Sequence, residues 1–307
     1  MIRMRRFATS AFAAITVFVL VAACTSPGRL PAAHVASVPV AQPQAIQSTS
    51  QIKVVSLNAA HSRSMGLHQI LQSSDTARAH LDAMAEMLAR ENPDIVALQE
   101  VDGPSIWSGK FDHVDYLARE AGYPATVRGT HMQAPGLDYG TAIMARHSLY
   151  DSASVGFGSA LSIARKGFVI SQMQWPGHVD TQVDLVSVHL DPLSSKTRAR
   201  QVTALIAVIE ERGRPVIVMG DFNADWYEED SAVRLLGESL ELTPHRARCD
   251  ECHTHRRLKN FVDWILVSPE FRIEDFQILD DEISDHYAVS ATLSLNDISR
   301  EQGTAAH

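Results

Sequence analysis

The 307-residue sequence predicts an α/β fold. Short runs of apolar, largely β-branched residues, at 52–57, 95–99, 183–188 and 216–219, alternate with segments whose apolar residues recur at helical spacing, at 75–90 and 195–211. The 45% apolar and 21% charged composition is that of a globular chain with a sizeable core.

Residues 1–24 read as an export address. Arg3, Arg5 and Arg6 form a cationic start, residues 7–21 an apolar stretch, and Val21-Ala22-Ala23-Cys24 matches the bacterial lipobox, in which Cys24 is lipidated and becomes the new N-terminus. The apolar stretch is short for a spanning helix. The sequence thus predicts a lipid-anchored protein of the cell envelope, and in a two-membrane bacterium Thr25 resembles the sorting pattern for the outer membrane. Removing the three Arg moves the formal charge from −9 to −12, 24 Lys+Arg against 36 Asp+Glu. An acidic chain without a basic run is poorly suited to gripping nucleic acid over a long footprint, and is no obstacle to a divalent cation. No protein partner is implied.

Residues 25–50, rich in Pro, Ala, Ser and Gln, read as a flexible tether, 51–297 as one folded domain and 298–307 as a disordered tail. No internal repeat is visible. After the strand at 52–57, Asp75 or Thr76 is the candidate cap of a helix reaching Arg90, with Leu81, Met84 and Leu88 on one face and Asn92-Pro93 ending it. The strand at 95–99, a second helix at 113–120 and strands at 139–144 and 168–175 follow. Beyond the strand at 183–188, Val202, Leu205, Ile206 and Ile209 give the helix at 195–211 a face that covers a sheet. Gly220 closes the strand at 216–219, and strands at 262–267 and 287–295 complete the domain. Residues 103–110, 130–137 and 246–260 read as long loops of the kind that carry specificity.

Polar groups sit at the ends of these runs in a fixed order. Asn58 follows the first strand, Glu100 the second and His189 the one at 183–188; Asp221 and Asn223 stand just past Gly220; Asp263 and Ser284-Asp285-His286 open the last two strands. Ligands of open α/β folds collect at such strand ends.

The set Ser-Leu-Asn (56–58), Leu-Gln-Glu (98–100), Val-His-Leu (188–190), Gly-Asp-Phe-Asn (220–223), Asp-Trp-Ile-Leu (263–266) and Ser-Asp-His (284–286) resembles the endonuclease/exonuclease/phosphatase superfamily, which includes pancreatic-type deoxyribonucleases, bacterial sphingomyelinases and inositol polyphosphate 5-phosphatases. The resemblance implies a four-layer α/β sandwich, two packed mixed β-sheets flanked by helices. It also implies phosphate ester hydrolysis by direct attack of water, assisted by Mg²⁺ or Mn²⁺. Glu100 is then the principal metal ligand with Asn58 beside it and Asp285 leaning toward both. Asp263 holds one nitrogen of His286 so that the other takes the water's proton. His189 serves the leaving-group side as general acid or hydrogen-bond donor, with Asp138 the candidate acidic partner. Asp221 and Asn223 orient phosphate and water or bind a second metal.

Cys249 and Cys252 are too close, even with His253 and His255, for a usual zinc site; in an exported protein they predict a short-loop disulfide. Thr254 and His255 are expected to border the active-site rim. Asp102 stands where the deoxyribonuclease-like pattern has an Arg that engages nucleic acid, Thr141 where Asn is common, and Phe261 where Arg is frequent. The segment 113–123 and Gln99-Glu100-Val101-Asp102 look instead like a branch tied to glycolipid anchors and membrane phosphodiesterases. The sequence therefore predicts an envelope phosphodiesterase acting on a phospholipid or sugar phosphate. An exported nuclease is the alternative, and a non-catalytic binding module on the same fold the second.

Overall fold

In a computed structural model of the chain, residues 34–37, 51–64, 73–158, 165–245 and 252–296 are described; Cys24, Cys249, most of the tether and the tail lie outside them. Strands are numbered along the chain. One sheet runs β1 (His34–Ser37), β4 (Ala125–Ala134), β5 (Leu137–Ala145), β3 (Ile95–Asp102), β2 (Gln51–Asn58), β13 (Ala288–Leu295), β12 (Phe271–Leu279). The other runs β10 (Thr243–Pro244), β11 (Asp263–Val267), β9 (Val216–Asp221), β8 (Gln182–His189), β7 (Gly167–Gln174), β6 (Tyr150–Gly156).

Each sheet has one parallel pair at its centre, β2 with β3 and β8 with β9, and antiparallel neighbours on both sides. A parallel pair needs a crossover, and α1 (Ser74–Glu91) and α3 (Ser195–Arg212) supply it. After β3 and β9 come α2 (His113–Ala121) and α4 (Ala232–Ser239), then an antiparallel pair, then a hairpin. The order β2-α1-β3-α2-β4-β5-β6-β7 thus recurs as β8-α3-β9-α4-β10-β11-β12-β13. This internal repeat is a correction to the sequence reading: it lives in topology, because the packing it requires constrains apolar periodicity and not residue identity.

Three apolar clusters match a four-layer sandwich. Leu81, Met84 and Leu88 of α1 pack with Leu117 of α2 under the first sheet. Val202, Leu205 and Ile209 of α3 pack with Leu236 of α4 under the second. Val54, Ile95, Leu185, Ile217 and Ile265 fill the space between the sheets. One polar stitch crosses that space: Gln99 Nε2 donates to Ser187 Oγ at 3.0 Å, and Ser187 Oγ donates to Leu98 O at 2.9 Å. Among the described residues no helix is long and apolar enough to cross a membrane.

The cap of α1 is Ser73, whose hydroxyl accepts from Thr76 N, two residues before the expected cap; the helix ends where Asn92 turns left-handed (φ 49°) before Pro93. Residues 130–137 are not a loop. They form the turn end of the β4–β5 hairpin, which the sequence disguised because Gly129 and a register shift between Thr130 and Met132 interrupt the alternation. β6, β12 and α4 were likewise not anticipated. Inside the expected tether, His34–Ser37 pairs antiparallel with β4, satisfying part of an edge that would otherwise be open.

Gly220, the next-to-last residue of β9, has φ +151°, and a Cβ there would stand 2.0 Å from Val188 O of the parallel neighbour. Gly220→Ala is therefore expected to cost about 3 kcal/mol, since backbone cannot yield as a side chain can; urea unfolding of the two proteins measures it.

Candidate active site

The polar strand ends meet where the two sheets approach each other. Asp221 is buried at the end of β9, and its Oδ2 accepts from Asn58 Nδ2 of the opposite sheet at 2.9 Å. The same oxygen lies 3.4 Å from His189 Nε2 and 3.8 Å from His286 Nε2. Its Oδ1 accepts from Asn223 N at 2.9 Å, a local turn in which Asn223 takes φ +49°. Asn223 Nδ2 donates to Leu190 O at 3.0 Å, tying the turn to the end of β8.

His286 is fixed from two directions. Asp263 Oδ2 lies 2.8 Å from its Nδ1, and its backbone N donates to Ser284 Oγ, which in turn donates to Asn58 O at 2.6 Å. Thr254 Oγ1 accepts from both Val262 N and Asp263 N at 3.0 Å, which sets the start of β11. His255 bridges to the His286 backbone and lies 4.7 Å from its ring. Thr254, expected at the rim, is fully buried, while His255 stands beside His286.

Glu100 occupies a bulge between Gln99 and Val101 with φ +50°, which turns its carboxylate out of the β3 ladder. Lys166 Nζ donates to Glu100 Oε1 at 3.0 Å, and His61 Nε2 and Arg63 Nη2 lie 3.5 and 3.7 Å from Oε2. Arg63 also reaches Asp285 Oδ2 at 3.4 Å. His61 sits on a turn in which Ala60, His61 and Ser62 are all left-handed, at φ 46°, 54° and 57°. Such strain, on the order of 1 kcal/mol or more per residue, marks a site held for a purpose. His61 Nδ1 meets Asp102 Oδ1 at 2.6 Å, while Trp107 Nε1 donates to Asp102 Oδ2 at 2.7 Å.

The sequence missed Lys166, His61 and Arg63. Lys166 precedes β7, and because Gly167 pairs with His189 it arrives at the same strand end. The expected pairing of Asp138 with His189 is corrected. Asp138 faces Arg128 of the neighbouring strand at 2.7 Å and Thr130 at 3.2 Å, and His189 Nδ1 instead meets Lys166 Nζ at 3.2 Å. Cys252 is disulfide-bonded, which removes it as a zinc ligand; Cys249 lies outside the described residues.

The charge balance is negative. Among the described residues, Glu100, Asp102, Asp221, Asp263 and Asp285 face Lys166 and Arg63 as fixed cations. Burial alone would lower His286, but Asp263 and Asp221 beside it raise it to about 10. Burial likewise opposes protonation of His61, and Glu100 and Asp102 outweigh it. His189 goes the other way, pushed down to about 3 by burial and Lys166. Burial opposes ionisation of Glu100, yet Lys166, His61 and His189 hold it well below the usual carboxylate range. Hard oxygen donors in negative excess fit a divalent cation such as Mg²⁺. Arg63 already places a cationic nitrogen between Glu100 and Asp285, and Asp221, Asp263 and His286 offer ligand atoms within 4.8 Å of one another.

Carboxylates, amides and paired imidazoles at the seam of two mixed sheets suit phosphoester hydrolysis. The chain belongs to the Endonuclease/Exonuclease/phosphatase family, whose model matches residues 55–286. No curated protein matches it. Among solved structures it is similar to an endonuclease/exonuclease/phosphatase from Beutenbergia cavernae (TM-score 0.64, 18% identity, 80% of this chain and 72% of that one). A mannosyl-6-phosphatase from Bacteroides thetaiotaomicron (TM-score 0.60, 17% identity, 80% and 100%) and the human Nocturnin catalytic domain with bound sulfate (TM-score 0.61, 19% identity, 86% and 98%) share the fold.

Thr254→Val keeps the shape but orphans two buried N–H groups, so it is expected to cost about 2 kcal/mol or more and to lower activity through Asp263. Thr254→Ser is expected to stay within about 0.5 kcal/mol of the parent. Thermal unfolding and turnover of the two variants check both.

Proposed function

We propose that the protein is a divalent-metal-dependent phosphodiesterase of the cell envelope that acts on a phospholipid or sugar phosphate. The observation that carries the hydrolytic part is the meeting of Asn58, His189 and His286 on one buried carboxylate oxygen, Asp221 Oδ2. Asn58, Glu100 and Asp285 are the residues that would hold Mg²⁺ or Mn²⁺. When bound, such an ion supplies charge neutralisation on the phosphoryl oxygens.

The chain's own groups do the remainder. Asp263 orients His286, and because two carboxylates keep that ring protonated, it donates toward a phosphoryl oxygen. Asp221 is then the acceptor for the attacking water's proton, so the base role expected of His286 passes to its neighbour. Asn58 and the Asn223 turn hold Asp221 in place from two sides. His189 presents Nε2 to the same space and serves the leaving group.

The envelope location and lipid substrate are supported by the export address ending at Cys24, and the negative chain disfavours a nucleic acid. Asp102, where the deoxyribonuclease-like pattern has an Arg, is paired with His61 and Trp107. That a mannosyl-6-phosphatase shares the fold supports a sugar phosphate within its range.

Hydrolysis of bis-p-nitrophenyl phosphate and of a phospholipid panel by the full chain is expected to require Mg²⁺ or Mn²⁺ and to stop with EDTA. Glu100→Ala and His286→Ala should each lower kcat by about 100-fold or more. Turnover that survives EDTA and both substitutions would remove this reading.

A further inference from the structure

Seven large apolar side chains are exposed among the described residues, and four of them, Ile106, Leu193, Tyr227 and Leu258, stand on four separate connections at the site end of the sandwich. Single exposed apolar residues are ordinary on a protein surface, so the shared end is the informative part. Ile106 is 64% exposed, and its backbone N donates to Gly136 O at 2.9 Å, which ties it to the β4–β5 hairpin. Leu193 is 91% exposed, and its N donates to Asp191 Oδ1 at 2.9 Å. Leu258 is 69% exposed, and its N donates to His255 Nδ1 at 3.2 Å, beside His286. Exposed Lys110, Lys196, Arg257 and Lys259 neighbour these three in sequence, whereas Glu228, Glu229 and Asp230 follow Tyr227. Cations flanking apolar tips suit the phosphate level of a bilayer, and an acidic flank does not.

The direction of β1 is an independent observation. It lies antiparallel to β4, with His34 opposite Arg128 and Ser37 opposite Ala125, and β4 runs toward the site end. The end of β1 nearer Cys24 is therefore its end nearer the site. From Cys24 to His34 the backbone spans at most about 35 Å. We propose that the site end of the domain faces the bilayer in which Cys24 is anchored. Ile106, Leu193 and Leu258 enter its headgroup level, and the substrate is a phospholipid of that same membrane. This rests on the envelope location and on the phospholipid reading of the site given above. The short tether holds the site against the lipid surface, which raises the local concentration of substrate without any tighter contact to it. Shallow insertion of three apolar tips is reversible, so the site can move from one lipid to the next.

The test uses the full lipidated chain in vesicles of phosphatidylcholine and phosphatidylglycerol. A fluorophore is attached in Ile106→Cys, Leu193→Cys or Leu258→Cys, and in Val179→Cys, whose site is 78% exposed in the β7–β8 turn at the opposite end. Quenching by a nitroxide carried on the lipid is expected to be at least about twofold at the first three and absent at Val179→Cys. The combined variant Ile106→Glu, Leu193→Glu, Leu258→Glu is expected to lose at least about 10-fold on vesicle phospholipid and to stay within about twofold of the parent on soluble bis-p-nitrophenyl phosphate. No quenching at the three rim positions, or equal quenching at both ends, would overturn the proposal, as would equal losses on the two substrates. Rim quenching without turnover of any phospholipid would overturn the phospholipid reading of the site while the orientation stands. A mature protein that carries no lipid at Cys24 would remove the envelope reading, and the orientation with it.

Discussion

The hydrogen bond from Asn58 to Asp221 joins residues 163 positions apart and closes the seam between two sheets. Asn58 ends β2 in one sheet and Asp221 ends β9 in the other, so the bond forms only if the sandwich packs in register. The Asp263–His286 pair crosses the same seam, from the start of β11 to the residues before β13. Chemistry therefore depends on the apolar layer beneath it, since a slip between the sheets would separate both pairs at once. The Gln99–Ser187 contact, just below Glu100 and close to His189 in sequence, locks that layer with a directional bond that apolar packing lacks.

The topological repeat explains why the site lies at one end. Each half contributes a parallel pair whose strands finish together, and Asn58, the Glu100 bulge, His189 and Asp221 are those endings. Parallel strands place their carboxyl ends side by side, and the antiparallel strands beside them begin there, which is how Asp263 and His286 join the group. Helices α1 and α3 cover the outer faces of the two sheets.

Much of this was legible in the sequence for a physical reason. A buried strand is a run of β-branched residues, its end is the first polar residue, and so Asn58, Glu100, His189, Asp221, Asp263 and His286 were visible as punctuation. His61, Arg63 and Lys166 were not, because they occupy irregular backbone before or after a strand, where periodicity carries no signal. His61 depends on three left-handed residues in succession, none of them Gly, a conformation that no local propensity announces. The sequence pairs Asp138 with His189 because its periodicity does not carry β4 past Thr130, where the register shifts. Once β4 exists, Arg128 stands beside Asp138 and claims both of its oxygens, at 2.7 and 3.3 Å. Asp102 was recognised as a departure from a nuclease pattern, but its burial against His61 and Trp107 required the fold.

The proposed hydrolysis requires a cation at the seam, between carboxylates that the two sheets bring together. Diffraction from crystals of the protein grown with Mn²⁺, measured for the anomalous signal of manganese, locates that cation directly. A peak is expected within coordination distance of the Glu100 carboxylate, with Arg63 and Lys166 turned from that carboxylate to make room. Ordered crystals in millimolar Mn²⁺ with no peak at Glu100, and the Lys166 and Arg63 contacts intact, would contradict it.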